Sequence, residues 1–151
     1  MWFSRKQAID VPPKGAASGA AALPKQVTTK SRGDAAEAAA CTHLVRAGLK
    51  FIEANYRTPG RGGGEIDLIM RTPDGTLVFV EVRHRSGASH GGAAASITAV
   101  KQRRIVYAAR HYLMRFASLP PCRFDVVLVH GALAETPQAG IEWLTAAFDA
   151  S

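Results

Sequence analysis

The chain has 151 residues, 47% hydrophobic and 21% charged, which is enough for one domain with a substantial core. No apolar run approaches the roughly 18 residues of a membrane span, and no apolar segment follows the basic N-terminus as in a secretory signal. We therefore expect a cytoplasmic protein without a membrane partner. Cys41 and Cys122 lack metal-binding spacing, and we interpret both as reduced thiols.

The net positive charge is concentrated at the N-terminus. Residues 1–32 hold six basic side chains and one acidic side chain, which is a net charge of +5 out of the +7 of the whole chain. The segment is rich in Pro, Gly, Ala and Ser and shows neither helical nor strand periodicity. We predict a disordered basic tail at 1–32 and a folded domain at 33–151. Such a tail either adds salt-dependent affinity for phosphates or is a solubilising extension.

The first predicted element of the domain is a helix. Asp34 precedes Glu37 by three residues, the spacing of a capping box, and an Ala-rich run then leads to Gly48, where the helix should stop. A strand follows over 49–57. The loop "TPGRGGG", residues 58–64, lacks the Lys-Ser/Thr ending of a phosphate-binding P-loop, so we interpret it as a flexible connection.

A β-hairpin is predicted from "GEIDLIMRTPDGTLVFVEVRHR". The turn "TPDGT" suits a three-residue hairpin loop that Gly75 closes in a left-handed conformation. This register places Asp67 opposite Glu81 and Glu65 opposite Arg83. Strand alternation leaves these four charges on one face of the sheet and a wholly apolar set on the other. The apolar set is Ile66, Leu68, Met70, Val78, Val80 and Val82.

Two carboxylates in directly opposite positions repel each other. Their Cβ atoms would lie about 4.5–5.5 Å apart, where like charges are destabilising. A shared proton, a neighbouring cation or a divalent metal would relieve Asp67 against Glu81. Mg²⁺ suits two carboxylates and a backbone carbonyl, here that of Val82, with water and phosphate oxygens around it. We favour the metal over a solvated edge where the acids separate and Glu65 pairs with Arg83.

A second helix is predicted over 93–116, because apolar residues recur there at steps close to a helical period. These residues are Ile97, Val100, Ile105, Ala108, Tyr112 and Phe116. The segment "LPPC" ends the helix, "RFDVVLVH" follows as a strand, and "IEWLTAAF" closes the chain as a strand end or short helix. The order αβββαβ with a terminal element predicts an α/β fold, a mixed β-sheet flanked by helices.

Five segments in this order resemble the YraN family of bacterial proteins: "GDAAEAAACTHLVRAGLKFIEANYR", "GEIDLIM", "VFVEVRHRS", "GGAAASITAVKQRRI" and "CRFDVVLV". The resemblance covers about 33–148 and implies a restriction-endonuclease-like fold, similar to archaeal Holliday-junction resolvases, with the PD-(D/E)xK nuclease signature. In that superfamily an aspartate and the glutamate of an ExK motif bind magnesium, and the lysine helps to orient the attacking water.

The resemblance implies roles for individual residues. Asp67 and Glu81 match the acids that bind Mg²⁺ or Mn²⁺, and Glu37 matches a first-helix acid, with the capping box as its alternative role. Arg83 stands where the lysine would be. Because arginine is effectively always protonated, it could stabilise a phosphate but could not be a general base. Lys101 matches a helical lysine that could supply the missing charge, or it lies on a solvated basic face.

The leading hypothesis is a magnesium-dependent endonuclease acting on DNA, with branched or structured DNA implied by the fold analogy. Its catalytic residues would be Asp67, Glu81, Arg83 and Lys101, its metal ligands Asp67, Glu81, Val82 and Glu37, and its nucleic-acid-binding residues Lys101, Arg103, Arg104 and Arg85. Asp125 is either a supporting acid or an ion-pair partner of Arg123 or Lys101. The second hypothesis is a non-catalytic nucleic-acid-binding module, and the third is a protein-interaction domain, such as a homodimer.

Overall fold

The computed structural model describes residues 29–85, 97–130 and 140–150. The elements in chain order are α1 (Thr29–Arg46), β1 (Lys50–Arg57), β2 (Glu65–Arg71), β3 (Leu77–Arg85), α2 (Ala99–Leu113), β4 (Cys122–His130) and β5 (Ile141–Phe148). The strands form one sheet in the order β1-β2-β3-β4-β5, with β3 and β4 parallel and the other neighbours antiparallel. The prediction of an α/β fold with a mixed sheet flanked by helices is confirmed.

The first helix begins earlier than its capping box predicted. It starts at Thr29, so Asp34 lies inside α1 and the predicted N-cap is wrong. Extending an existing helix costs less than starting one, because each added residue gains a hydrogen bond without a new nucleus. Of the predicted tail, residues 1–28 lie outside the described residues, and its last four residues belong to α1.

The end of α1 agrees with the prediction. Gly48 has a positive φ of 106°, its N–H donates to the carbonyl of Val45, and the N–H of Leu49 donates to the carbonyl of Leu44. These two bonds form a Schellman motif, which favours glycine at its left-handed position. Leu44 and Leu49 are both buried in the same core cluster, and this contact fixes the direction in which the chain enters β1.

The hairpin has the predicted register. The paired residues run from Arg71 opposite Leu77 to Leu68 opposite Val80. The turn is closed by a hydrogen bond from the Thr72 N–H to the Thr76 carbonyl at 2.9 Å. Gly75 has a φ of 94°, the left-handed conformation that the loop requires. Turn chemistry therefore sets which residues of β2 and β3 meet.

The sheet is covered by a helix on each face, so neither face is mainly polar as the hairpin pattern predicted. The cluster beneath α1 contains Ala36, Ala40, Leu44, Leu49, Leu68, Met70, Val78, Val80, Val127 and Val129. The cluster beneath α2 contains Tyr56, Ile66, Ile69, Leu77, Phe79, Ile105, Ala108, Ala109, Tyr112 and Phe124. Ile66 is thus packed with the α2 cluster and not with Leu68 and Met70. The predicted acids lie at the margin of an apolar layer.

The second helix is shorter than predicted. It begins after the N-cap Thr98, whose hydroxyl accepts a hydrogen bond from the Lys101 N–H, and ends at Leu113. Residues 93–96 lie outside the described residues. Val100 was predicted to be in the buried stripe but is 50% exposed, because it falls in the first turn on the side away from the sheet. Ile105, Ala108 and Tyr112 are buried as predicted.

Candidate functional site

Asp67 and Glu81 meet on adjacent strands, one residue beyond the last paired residues of β2 and β3. Both are buried, with 8% and 4% of their surfaces exposed. The Asp67 Oδ2 accepts a hydrogen bond of 2.8 Å from the Val82 N–H. The two side chains are close enough for each to influence the ionisation of the other. The predicted juxtaposition of these acids is therefore present.

The electrostatics of this pair are unfavourable for two negative charges. Burial, followed by the charge of Asp67, raises the pKa of Glu81 to about 8. Burial likewise raises the pKa of Asp67, although the Val82 N–H lowers it. Two carboxylates in contact away from water favour a state that holds one proton between them. Near neutral pH the pair thus retains a proton that a cation could replace.

Two cationic side chains approach the pair from different elements. The Arg83 Nη1 on β3 and the Lys101 Nζ on α2 lie 3.9 Å and 3.8 Å from the Glu81 Oε2. Both distances are long for an ion pair, and both go to the same oxygen. The other oxygen, Glu81 Oε1, is buried and has no hydrogen-bond partner in the part of the chain that the structure describes. A buried acceptor without a partner is costly, so this oxygen points to a ligand that completes the site.

The donor set suits a divalent metal ion. Two carboxylates and an unsatisfied carboxylate oxygen are hard oxygen ligands, and Mg²⁺ commonly uses one or two carboxylates together with water and phosphate oxygens. In the described part of the chain, no group of three or more His, Cys, Asp or Glu side chains could hold a metal. Asp67 and Glu81 would therefore act as a pair. The Val82 carbonyl remains a predicted ligand.

Glu37 is an electrostatic neighbour of the pair and is not assembled with it into a three-acid group. It lies on α1, where a hydrogen bond with the Asn55 side chain lowers its pKa. Burial and the charge of Asp67 outweigh that bond and raise the pKa. Asn55 has a positive φ of 54°, which asparagine tolerates better than most residues. No sequence pattern pointed to Asn55, because its partner is on another element.

The ion pair between Glu65 and Arg83, which belonged to the less favoured alternative to a metal site, is not formed. Glu65 lies opposite Arg57 in the β1–β2 ladder, and the Arg57 Nε is 2.7 Å from the Glu65 Oε2. The β2–β3 ladder ends at Leu68 and does not extend to Glu65. Arg83 is consequently directed to Glu81, so its charge belongs to the acid pair.

The basic residues predicted to bind nucleic acid are divided among several surfaces. Lys101 and Arg104, one turn apart on α2, line a pocket with the loop 58–64. Arg103 lines a different groove on α2 together with Tyr107. Arg85 is half-buried at the end of β3. The structure thus separates two adjacent arginines that the sequence could not distinguish.

The loop 58–64 is closed at its base by hydrogen bonds, and its flexibility stays a prediction. The Thr58 N–H donates to the Gly64 carbonyl at 3.1 Å, and the Gly64 N–H donates to the Thr58 hydroxyl at 2.7 Å. Thr58 is 7% exposed. The ion pair between Arg57 and Glu65 lies directly outside these bonds. Sequence reasoning missed Thr58 and Gly64, and the only signal was a threonine and a glycine that flank the glycine-rich run.

Asp125 lies fully buried on β4 and takes no part in the acid pair. It accepts hydrogen bonds from the Arg123 guanidinium, from the Trp143 indole at 2.9 Å and from the Ala146 N–H at 2.9 Å. The predicted pairing with Arg123 is confirmed. The residue joins β4 to β5 where their register shifts.

A model of the uncharacterised protein family UPF0102 matches residues 36–129 of the chain. The chain is 82% identical over 153 residues to a UPF0102 protein of Polaromonas naphthalenivorans (strain CJ2), with 100% of both covered. It is 72% identical over 153 residues to a UPF0102 protein of Polaromonas sp. (strain JS666), again with 100% of both covered. Identity to a UPF0102 protein of Albidiferax ferrireducens is 64%, covering 82% of this chain and 91% of the relative. The family match includes both carboxylates and α2.

Among the described residues, no helix is both long enough and apolar enough to cross a membrane.

Proposed function

We propose that this chain, which belongs to the UPF0102 family, is a magnesium-dependent endonuclease acting on DNA. Two features support the proposal: the YraN motifs in the sequence and the two buried acids that meet on the sheet. The observation that carries the proposal is that two buried acids, Asp67 and Glu81, lie side by side and that the Glu81 Oε1 has no hydrogen-bond partner among the described residues. A structural role does not account for a buried acceptor without a partner. Branched DNA and a homodimer stay predictions from the fold analogy.

In this proposal, Asp67 and Glu81 hold Mg²⁺ or Mn²⁺. When bound, such an ion supplies Lewis acidity to the phosphodiester and to the attacking water. The Val82 N–H fixes the orientation of the Asp67 carboxylate through its 2.8 Å hydrogen bond. Ordering of a ligand carboxylate before binding reduces the entropy lost on binding.

The cations Arg83 and Lys101 stabilise negative charge on the phosphate. Both now lie 3.8–3.9 Å from Glu81 and neutralise part of its charge. When a metal neutralises the acids, these side chains become available to the phosphate oxygens. Arginine can donate two parallel hydrogen bonds to a phosphate, but it does not release a proton at neutral pH, so Arg83 stabilises charge and does not act as a base.

The test is cleavage of labelled single-stranded, duplex, flap and four-way-junction DNA in Mg²⁺ and in Mn²⁺. Asp67→Asn should abolish cleavage, and Arg83→Lys should increase it by restoring the residue of the nuclease signature. Glu142→Gln is the matched control, because Glu142 is an exposed acid on β5. Thermal melting of each variant shows that it is folded. Cleavage that survives Asp67→Asn would contradict the assignment.

A second candidate is a non-catalytic nucleic-acid-binding module, and the observation that favours it is Arg83. Its permanent charge occupies the lysine position of the signature, 3.9 Å from Glu81. This function predicts no cleavage by wild type or by Arg83→Lys in either metal. It also predicts salt-dependent DNA binding that Asp67→Asn leaves unchanged.

A further inference from the structure

The pocket between the loop 58–64 and α2 is held in shape by its own backbone. The loop closes on itself through the Thr58 N–H and hydroxyl, which exchange hydrogen bonds with the Gly64 carbonyl and N–H. Its open side faces Lys101 and Arg104, and the space enclosed is about 240 Å³. Closure at the base restricts the conformations of the loop, which lowers the entropy lost when a ligand binds.

The loop approaches α2 more closely than a side chain would permit. A Cβ added at Gly64 would lie 1.9 Å from the carbonyl oxygen of Arg104. One added at Gly63 would lie 2.0 Å from the Thr58 hydroxyl. Both glycines are therefore required by space: Gly64 lets the loop backbone contact α2, and Gly63 leaves room for the Thr58 hydroxyl that closes the loop.

The cationic side chains around this pocket differ in whether they already lie near an acidic partner. Arg57 is paired with Glu65 at 2.7 Å, and Lys101 lies 3.8 Å from Glu81. The Arg104 side chain is exposed, and it has no hydrogen bond or ion pair with any residue that the structure describes. An arginine without a carboxylate partner beside a backbone turn suits an anion that accepts two hydrogen bonds.

We infer that this pocket binds an internal phosphodiester group of nucleic acid, with Arg104 as its main contact. The pocket adjoins the acid pair, because Lys101 lines it and also approaches Glu81. A nucleic acid strand crossing α2 at Lys101 would place one phosphate at the acids and a neighbouring phosphate at Arg104. The inference rests on the proposed function in that both sites serve one strand, but phosphate binding does not require turnover.

The pocket is tested by fluorescence anisotropy of the full chain with labelled DNA duplex bearing 5′-hydroxyl ends, in Ca²⁺ and at several salt concentrations. Arg104→Ala should weaken binding about five- to tenfold and reduce the slope of log K against log salt by about 0.9, the value for one phosphate contact. Arg110→Ala is the matched control, because Arg110 is also an exposed arginine of α2 but lines the opposite groove. It should weaken binding less than twofold.

A second variant separates the shape of the pocket from its charge. Gly64→Ala keeps every cation and should weaken binding about as much as Arg104→Ala, because the added Cβ displaces the loop from α2. If melting shows that Gly64→Ala does not fold, Arg104→Lys replaces it. That variant keeps the charge, loses the two-pronged donor and should give an intermediate loss.

Four outcomes decide the inference. Losses of DNA affinity that are confined to the variants of Arg104 and Gly64 support the inference, whether or not the wild type cleaves DNA. Absence of cleavage would contradict only the proposed function. Equal losses of DNA affinity for Arg104→Ala and Arg110→Ala would overturn the inference. The cleavage assay would still test the acid pair separately. The inference would also be overturned if wild type did not bind DNA at low salt. The last comparison uses a duplex with 5′-phosphate ends. If Arg104→Ala weakened binding only to this duplex, the inference would be overturned, because the pocket would then bind a terminal phosphate and not an internal phosphodiester.

Discussion

Two regions of this sheet bury carboxylates, and the two regions differ in how completely the carboxylate oxygens are hydrogen-bonded. Asp125 on β4 is fully buried, and its oxygens accept hydrogen bonds from Arg123, Trp143 and the Ala146 N–H. Its charge is compensated at 3.0 Å by the Arg123 guanidinium. Nothing in this arrangement requires a ligand. Asp125 is a structural acid, and it holds the last strand on the sheet.

The acid pair on β2 and β3 lacks such compensation. Burial raises the pKa of both Asp67 and Glu81, the nearest cations lie 3.8–3.9 Å from Glu81, and the Glu81 Oε1 has no hydrogen-bond partner among the described residues. Burial is almost the same as for Asp125, so burial alone does not distinguish the two regions. The distinguishing property is the number of partners, and an unsatisfied pair is a better sign of a binding site than a buried acid.

The largest expected effect is on the structural acid. Asp125→Ala should lower the free energy of unfolding by about 3–5 kcal/mol, because it leaves the Arg123 guanidinium, the Trp143 indole and the Ala146 N–H without their acceptor. Chemical denaturation measures the change. Asp67→Asn provides the comparison and should cost far less, since it removes a repelling charge. If both variants lost equal stability, the two regions would not differ as described.

The second prediction concerns the pH dependence of stability without metal. A folded-state pKa of about 8 for Glu81, above its ordinary 4.5, means that the folded protein binds a proton that the unfolded chain releases. The contribution of Glu81 to stability should therefore be fully present at and below about pH 4.5 and be lost as the pH rises through about 8, by at most a few kcal/mol.

Melting in EDTA from pH 5 to pH 8.5 tests this dependence, with Glu81→Gln as the informative variant. Its amide does not titrate, so the decline attributable to Glu81 should disappear. Glu142→Gln, which changes an exposed acid, should keep the wild-type decline. A decline that persisted in Glu81→Gln would show that another group is responsible.

Local patterns in the sequence predicted the acid pair, and long-range contacts explain what they missed. The turn at Gly75 fixes the β2–β3 register, and the register fixes Asp67 beside Glu81. The pairing of Glu65 with Arg57 depends on the β1–β2 ladder, whose register shifts at an irregularity that no pattern indicates. The start of α1 likewise depended on the balance between capping and extension.

The same limit applies to the loop and to α2. The close approach of the Gly64 backbone to Arg104 joins residues 40 apart in the chain, so local reasoning could not predict it. Helical periodicity predicted the buried residues Ile105 and Ala108 but not the exposure of Val100, because it cannot locate where the sheet ends. Residues near both ends of an element are where such reasoning is weakest.

The smallest expected effect is the gain of stability from Mg²⁺. A ligand that binds only the folded state at about 100 times its Kd adds about 2.7 kcal/mol. The gain should increase with pH up to about 8, because the ion and the proton compete for the same carboxylates. Asp67→Asn and Glu81→Gln should each remove it, whereas Glu142→Gln should retain it.

Thermal melting with and without Mg²⁺ at pH 6 and pH 8 measures this gain. Ca²⁺ in a parallel series shows whether the site selects the smaller ion, and KCl at matched ionic strength corrects for screening of the basic surface. A gain equal in wild type and Glu81→Gln would place the ion elsewhere. The acid pair would then be a second structural site, in which a proton permanently takes the place of a metal. The contrast with Asp125 would concern only how each negative charge is neutralised.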